Sequence, residues 1–193
     1  MASFLSRLFG SADHPSLMVR GLRVDVDNTR ADIRTEDVVE RLDAALTLIE
    51  QYQPLRFRHL QRDVRAISVE RYPCRGAFRP DDRTVITELT FLARRDISAA
   101  PVASSILHEG VHARVHAFSA RVLGGRGHAR DMAREERLCR RAEITFGRAL
   151  PPALGAPVLE RALATLELDD RGVAPVVDWA TALQRQREVD GGS

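Results

Sequence analysis

Residues 104–115 of the chain read SSILHEGVHARV, a stretch that contains the pattern His-Glu-x-x-His. His108 and His112 stand four positions apart, and Glu109 follows the first of them. The surrounding pattern predicts one helix over Pro101–Leu123, with a proline in its first turn, where a missing N–H is harmless. Histidines at positions i and i+4 leave one face of a helix about 6 Å apart. The stretch therefore predicts a helix that presents two neighbouring imidazoles.

This pair of imidazoles has the residue types and the spacing of a zinc site. Neutral imidazole nitrogens are common zinc ligands, and two on one helix face can share one ion. Glu109 is placed to reach a water at such an ion and to act as general base. The flanking residues of the motif are mostly uncharged, which favours a buried site over a solvated helix face that happens to carry two histidines.

At His108, Glu109 and His112 the chain resembles the zincin metallopeptidases, whose active-site helix carries this motif beneath a small sheet. In that family an edge strand commonly pairs with an extended peptide substrate. A metzincin would continue with glycine at position 115 and histidine at position 118, whereas this chain has Val115 and Phe118. The resemblance is therefore to the gluzincin type, which takes its third zinc ligand from a glutamate on a later helix.

Three glutamates on the next predicted helix, Asp131–Leu150, are candidates for the third ligand. Glu136 and Glu143 share one flank of the predicted buried face, and Glu135 points near the middle of that face. The spacing of Glu136 and Glu143 is similar to the third-ligand helix of small gluzincin-like proteins, which implies Glu136 as ligand with Glu143 supporting it. Glu143 and Glu135 remain alternatives, as do His128 and Asp131 just upstream.

The region before the motif predicts strands and one long helix. Val19–Val26 alternates in polarity and predicts one strand. Thr35 is expected to cap a helix that continues to Tyr52 and ends before Pro54. Six apolar positions of that helix keep its period and predict its buried face: Val38, Val39, Leu42, Ala45, Leu46 and Ile49.

Three further strands are predicted between this helix and the motif, and we expect them to form a small antiparallel unit. They lie near Val64–Val69, Arg75–Phe78 and Thr84–Phe91. Prolines at positions 73 and 80 flank the middle strand, which indicates that it lies at a sheet edge. We expect that edge strand to line the substrate cleft.

Strands followed by helices indicate the α+β class, here a zincin-like fold with a small antiparallel or mixed sheet on the motif helix. Two short helices, near Val158–Leu168 and Val176–Arg187, are expected after the third-ligand helix. We expect one domain over residues 19–188. Residues 1–18 would form a separate segment, such as a short amphipathic helix, and residues 189–193 a disordered tail.

Composition excludes several classes of protein. The 29 basic residues, all arginine, nearly balance 27 acidic ones, so the net charge of +2 does not favour a nucleic-acid binder. No apolar run approaches the roughly 20 residues of a transmembrane helix. The two cysteines, Cys74 and Cys139, form no C-x-x-C pair and are expected to be buried thiols rather than nucleophiles. We therefore expect a cytoplasmic protein.

The leading hypothesis is a zinc-dependent hydrolase that acts on a peptide or protein substrate, with Zn²⁺ held by His108, His112 and Glu136 and with Glu109 as base. The alternative is a non-catalytic metal-binding or protein-interaction module on the same scaffold. The oxyanion donor is left open among His116, His128, Tyr72 and an arginine. Arginines at positions 137, 140 and 141 accompany the acids of the third-ligand helix, and one of them is expected to face the cleft.

Overall fold

A computed structural model describes residues 16–122, 132–166 and 184 of the chain, and the described residues have the expected α+β class. The strands are β1 (Ser16–Val19), β2 (Leu22–Val26), β3 (Ala66–Glu70), β4 (Gly76–Arg79) and β5 (Thr84–Glu88). The helices are α1 (Thr35–Tyr52), α2 (Pro54–Asp63), α3 (Leu89–Ala93), α4 (Ala100–Val122), α5 (Met132–Ala149) and α6 (Pro152–Leu166). The expected N-terminal helix, the C-terminal tail and all but Gln184 of the predicted last helix lie outside the described residues.

The five strands form one mixed sheet in the order β1-β2-β3-β5-β4. Strands β2, β3 and β5 are parallel, whereas β1 and β4 run antiparallel at the two edges. The expectation of an antiparallel unit was wrong for β3 and β5, because β5 returns between β3 and β4 and pairs with β3 in parallel. The prediction that the middle strand of the three lies at an edge is confirmed.

The single strand predicted over Val19–Val26 is in fact a hairpin. Arg20 and Gly21 have φ angles of 49° and 77°, and positive φ at both central residues is characteristic of the two-residue turns that join paired strands. Arg20 is held in this unfavourable conformation by ion pairs with Asp43 and Glu50 of α1. The first strand of this hairpin starts at Ser16, three residues before the predicted start at Val19.

Helix α1 covers one part of the sheet, and its predicted buried face is confirmed at all six positions. Thr35 is the first helical residue rather than the cap, because its hydroxyl accepts a hydrogen bond from Asn28 Nδ2 at 3.1 Å. Pro54 ends the helical run as expected and at once occupies the first turn of α2. These apolar faces and the inner side of the sheet form one continuous core.

Helix α4 lies against β4 and β5 and also packs on α1, α2 and α5, so it occupies the centre of the molecule. Ser98 lies just before its start, and the Ala100 N–H donates to Ser98 Oγ at 3.3 Å. No helix in the described part of the chain is long and apolar enough to cross a membrane.

Helices α5 and α6 pack unusually closely at two glycines. A Cβ on Gly155 would lie 2.2 Å from the Gly147 carbonyl oxygen, so neither position has room for a side chain without movement of a helix. Helix α6 begins at Pro152, earlier than expected, and continues through Pro157. Leu138, which the helical period places on the buried face of α5, is 42% exposed.

A buried carboxylate joins the end of α2 to α4. The side chain of Asp63 is 1% exposed and forms ion pairs with Arg62 and Arg121 at 2.8 Å and with Arg114 at 3.4 Å. Burial by itself raises the pKa of Asp63, but the hydrogen bond and charge of Arg62, with the charges of the other two guanidiniums, outweigh it and lower that pKa. The fold therefore depends on this group in its ionised form.

We expect Asp63→Asn to lower the free energy of unfolding by about 1–3 kcal/mol at pH 7, because three guanidiniums lose their buried counter-charge. A lowered pKa stabilises the fold where the carboxyl is ionised, so the difference from wild type should shrink as the pH falls below about 4. Urea unfolding at pH 7 and at pH 3 measures both effects. Asp43→Asn, which removes an exposed ion pair with Arg20, is the matched control. Equal effects of the two variants would contradict the role given to Asp63.

Candidate metal centre

The motif residues of α4 occupy consecutive turns and face a protected space. The ring centroids of His108 and His112 are 5.2 Å apart, as expected for positions i and i+4 on one helix. His108 is 9% and Glu109 8% exposed, and His112 is half-buried. The three side chains predicted from the motif are therefore adjacent and largely shielded from solvent.

Helix α5 brings three buried glutamates to these two histidines. Glu135, Glu136 and Glu143 are each less than 10% exposed. The carboxylate of Glu136 faces both rings, with Oε2 3.3 Å from His108 Nε2 and Oε1 3.1 Å from His112 Nε2. Glu136, the preferred candidate for the third ligand, is thus the acid placed between the two Nε2 atoms.

The other two glutamates contact the opposite nitrogen of each ring. Glu143 Oε1 lies 2.6 Å from His108 Nδ1, and Glu135 Oε2 lies 3.3 Å from His112 Nδ1. Histidines that bind metals through one nitrogen commonly donate the other N–H to a carboxylate, which fixes the ring orientation. The supporting position expected for Glu143 matches this contact, whereas the contact between Glu135 and His112 was not anticipated from the sequence.

Arg140 is the arginine of α5 that faces the site. Its Nη1 lies 2.9 Å from Glu143 Oε1 and its Nη2 3.6 Å from Glu136 Oε2. The side chain is 12% exposed, whereas Arg137 and Arg141 are exposed on the outer face of the helix. Arg140 therefore compensates part of the negative charge that three buried carboxylates bring to the site.

The chemistry of this donor set suits Zn²⁺, and the distances from Glu136 to the two rings are compatible with a shared ion. Two imidazole nitrogens and one carboxylate oxygen form a common three-ligand set for catalytic zinc. A tetrahedral ion with bonds of about 2.0–2.1 Å separates its ligand atoms by roughly 3.3 Å. The two distances from Nε2 atoms to Glu136 oxygens, 3.3 and 3.1 Å, are close to that separation.

Cys139 is a further donor near the two histidines. Single ligand atoms from His108, His112 and Cys139 all lie within 4.8 Å of one another, and the cysteine is fully buried. Burial raises the pKa of the Cys139 thiol, so the group is neutral here. Glu136, in contact with both Nε2 atoms, remains the predicted third ligand. The spacing of the His-Glu-x-x-His motif does not by itself predict Cys139 as a donor.

The charge states of the site follow from these contacts. Burial by itself lowers the pKa of His108, but hydrogen bonds with Glu136 and Glu143 outweigh it and raise that pKa to about 9. In Glu136 the two histidines outweigh the effect of burial and lower the pKa. Burial raises the pKa of Glu109, which makes its carboxylate a stronger proton acceptor than an exposed glutamate.

The edge strand β4 lies directly on the motif helix. A Cβ on Gly76 would be 3.0 Å from Ser105 Oγ and 3.3 Å from Glu109 Cγ, so a side chain here would require these two side chains to shift by a few tenths of an ångström. Further along, the ring of Phe78 lies 5.7 Å from that of His116. Gly76 is a site residue that the sequence analysis missed, although a glycine inside an edge strand is itself a sign of close backbone approach.

Of the four oxyanion candidates, Tyr72 lies in the segment that leads into β4. Burial raises the pKa of Tyr72, and the charges of Cys74, Glu70 and Glu109 raise it further. His116 packs on Phe78, and Arg140 is engaged by the glutamates. His128, the remaining oxyanion candidate, and Asp131, an alternative third ligand, lie outside the described residues.

Comparison with known proteins found no matching family model, no matching curated protein and no matching solved structure.

We expect His108→Ala and Glu136→Gln each to lose most bound zinc after purification without a His-tag, because each removes a proposed ligand. Glu143→Gln should keep the ion but bind it about 10- to 100-fold more weakly, because only the orientation of His108 is lost. Zinc content by mass spectrometry and affinity by competition with a chromophoric chelator measure these effects. Glu40→Gln, on the exposed face of α1, is the matched control. Full zinc content in His108→Ala would contradict the site.

The same preparations test Cys139 as a ligand. A cobalt-substituted protein with a thiolate ligand shows a charge-transfer band in the near ultraviolet, which histidine and carboxylate ligands do not produce. We expect no such band and the same spectrum in Cys139→Ser. A band that is present in the wild type and disappears in Cys139→Ser would show that Cys139 is a ligand, either in place of Glu136 or as a fourth ligand.

Proposed function

We propose that the protein is a zinc-dependent hydrolase that cleaves peptide bonds. The observation that supports this proposal is the position of the Glu136 carboxylate between the Nε2 atoms of His108 and His112. The Nδ1 atoms of the same rings contact two other carboxylates, as they do when Nε2 is the metal-binding nitrogen. The pattern of residues is that of the gluzincin-type peptidases, which the motif resembles.

His108, His112 and Glu136 would hold the ion and leave a fourth position open. Zn²⁺ bound there would supply a Lewis acid that lowers the pKa of a coordinated water toward 7 and polarises the scissile carbonyl. Glu109 would accept a proton from the attacking water and then pass it to the nitrogen of the leaving amine as the C–N bond breaks. Its burial and raised pKa suit a group that must both take and return a proton.

The edge strand β4 would orient the substrate. Within the described chain β4 pairs on one side only, with β5, so its outer backbone groups face away from the sheet. An extended peptide can add to such an edge through main-chain hydrogen bonds. Because Gly76 contacts Glu109, a peptide on this edge would pass close to the proposed base.

Tyr72 would stabilise the negative oxygen of the tetrahedral intermediate. Its neutral phenol is a hydrogen-bond donor, and its raised pKa keeps it protonated at neutral pH. Donors aimed at a developing oxyanion contribute strongly because they act in a water-excluded site.

Cys139 supports one alternative function. If this thiol joined His108, His112 and Glu136, the ion would have four protein ligands and no open position. Closed sites of that kind are structural, and the protein would then be a non-catalytic metal-binding module that engages a partner protein. The cobalt spectrum described above separates the two functions.

We expect Glu109→Gln to retain zinc at the wild-type level and to lower kcat for peptide hydrolysis at least 100-fold, because the amide cannot accept the proton. Mass spectrometry of a mixed peptide library before and after incubation measures cleavage, and metal analysis of the same sample measures zinc. Glu40→Gln controls for the loss of a carboxylate on the surface. Cleavage at the wild-type rate by zinc-loaded Glu109→Gln would refute the proposed base.

Tyr72→Phe should lower kcat about 100-fold with little change in KM, because the lost hydrogen bond forms only as the oxyanion develops. Steady-state kinetics on a peptide identified in the library measures the two constants separately. Tyr52→Phe, at the end of α1 and remote from the motif, is the matched control. A variant in which KM rises while kcat is unchanged would assign Tyr72 to substrate binding instead.

A further inference from the structure

A cavity of about 430 Å³ lies beside the candidate metal centre, where α6 meets α3 and α4. Its apolar wall includes Phe91, Pro101 and Val158. Three arginines line it, Arg75, Arg94 and Arg161, against a single acid, Glu160. The cavity therefore combines a hydrocarbon surface with an excess of positive charge.

Two of the three guanidiniums lack an acidic partner among the described residues. Arg94 is engaged by Asp96, whereas in the described part of the chain neither Arg75 nor Arg161 makes an ion pair or a hydrogen bond with a carboxylate. Arg75 instead stacks on Phe91, its Cζ atom 5.0 Å from the ring centroid. This contact fixes the guanidinium at the cavity without neutralising its charge.

Both burial and neighbouring positive charge lower the pKa values of Arg75 and Arg161. Burial and the charge of Arg94 lower the pKa of Arg75, and burial and the charge of Arg75 lower that of Arg161. The negative charge of Glu143 raises the pKa of both arginines and so offsets part of this lowering, although Glu143 contacts neither of them. Like charges held together in one cavity are relieved by an anion that enters it.

The cavity is connected to the metal centre through Ser104. This residue lines the cavity, and its hydroxyl donates to Glu143 Oε2 at 3.1 Å, while Glu143 Oε1 contacts His108. On the other side, Arg75 directly precedes Gly76, where β4 meets Glu109. The cavity thus lies at the start of the strand that would carry the substrate.

We propose that Arg75 and Arg161 bind a carboxylate of the peptide substrate, so that the protein prefers substrates with an acidic group at this end of the edge strand. The inference rests on the proposed function. A guanidinium binds a carboxylate through two parallel hydrogen bonds, and the apolar wall would receive the hydrocarbon part of the same residue. The carboxylate comes either from an Asp or Glu side chain or from the C-terminus of the peptide.

Binding of labelled peptides to zinc-loaded Glu109→Gln protein tests the proposal without turnover. The probes are fluorophore-labelled, alanine-rich hexapeptides of three kinds: a free C-terminal carboxylate, a C-terminal amide, and amides with glutamate or glutamine scanned through each position. Fluorescence anisotropy gives the dissociation constants. We expect an acidic probe to bind at least about 10-fold more tightly than its neutral counterpart. The glutamate and free-acid peptides show which source of carboxylate the cavity takes.

Arg75→Gln and Arg161→Gln should each remove this preference while leaving zinc content unchanged. Each substitution lessens the repulsion in the cavity, so we expect the variants to fold, which circular dichroism checks. Arg58→Gln, an exposed arginine of α2 outside the cavity, is the matched control and should keep the preference.

Equal binding of acidic and neutral probes overturns the proposal, as does a preference that survives in both cavity variants. Displacement of the acidic probe by inorganic phosphate but not by acetate would also overturn it, because the cavity would then be a phosphate site. If wild type cleaves peptides without regard to acidic residues, the proposed function stands and the cavity assignment fails. If acidic probes bind through Arg75 and Arg161 but no peptide is cleaved, the cavity assignment stands and the hydrolase does not.

Discussion

The contact between α4 and α5 places three carboxylates and two imidazoles in the interior, and the rest of the site depends on it. Charged groups removed from water are costly unless each has a partner. Here each ring nitrogen faces a glutamate oxygen, and Arg140 contributes an opposite charge to Glu136 and Glu143. The same nitrogens and oxygens are those that a divalent zinc ion would require. The α4–α5 interface is thus polar because it carries these ionisable groups. Since burying them costs free energy, the stability of the interface must come from the packing around it.

That packing is supplied by close backbone approaches on both sides of the polar interface. On one side, Gly147 and Gly155 let α6 approach α5 to a distance that a Cβ would prevent. On the other, Gly76 lets β4 lie against Ser105 and Glu109. Glycines at these three points allow β4, α5 and α6 to approach their neighbours closely, so a side chain at any of them would require neighbouring groups to move. Precise placement of this kind is what a catalytic or metal-binding site needs.

Features that depend on local spacing could be predicted from the sequence, and features that depend on distant pairing could not. The buried face of α1 and the adjacency of His108 and His112 follow from the helical period alone. The position of Glu136 beside them required a resemblance to a family, because no local rule brings two helices together. The parallel pairing of β3 with β5 and the contact of Glu135 with His112 depend on how the chain crosses the sheet and on the angle between helices. Strand patterns carry no direction, so an antiparallel unit was an equally acceptable interpretation.

All 29 basic residues are arginine, and the partners of several guanidiniums show what these side chains do in the fold. At Asp63, three guanidiniums converge on one buried carboxylate, and at Arg140 one guanidinium serves two. In both places the charges are satisfied within the protein, so these arginines stabilise the fold and position its acids. Arg75 and Arg161 differ because they line a cavity whose one acid, Glu160, forms no ion pair with either of them in the described chain. A ligand that carries a carboxylate would lessen the repulsion between these two guanidiniums.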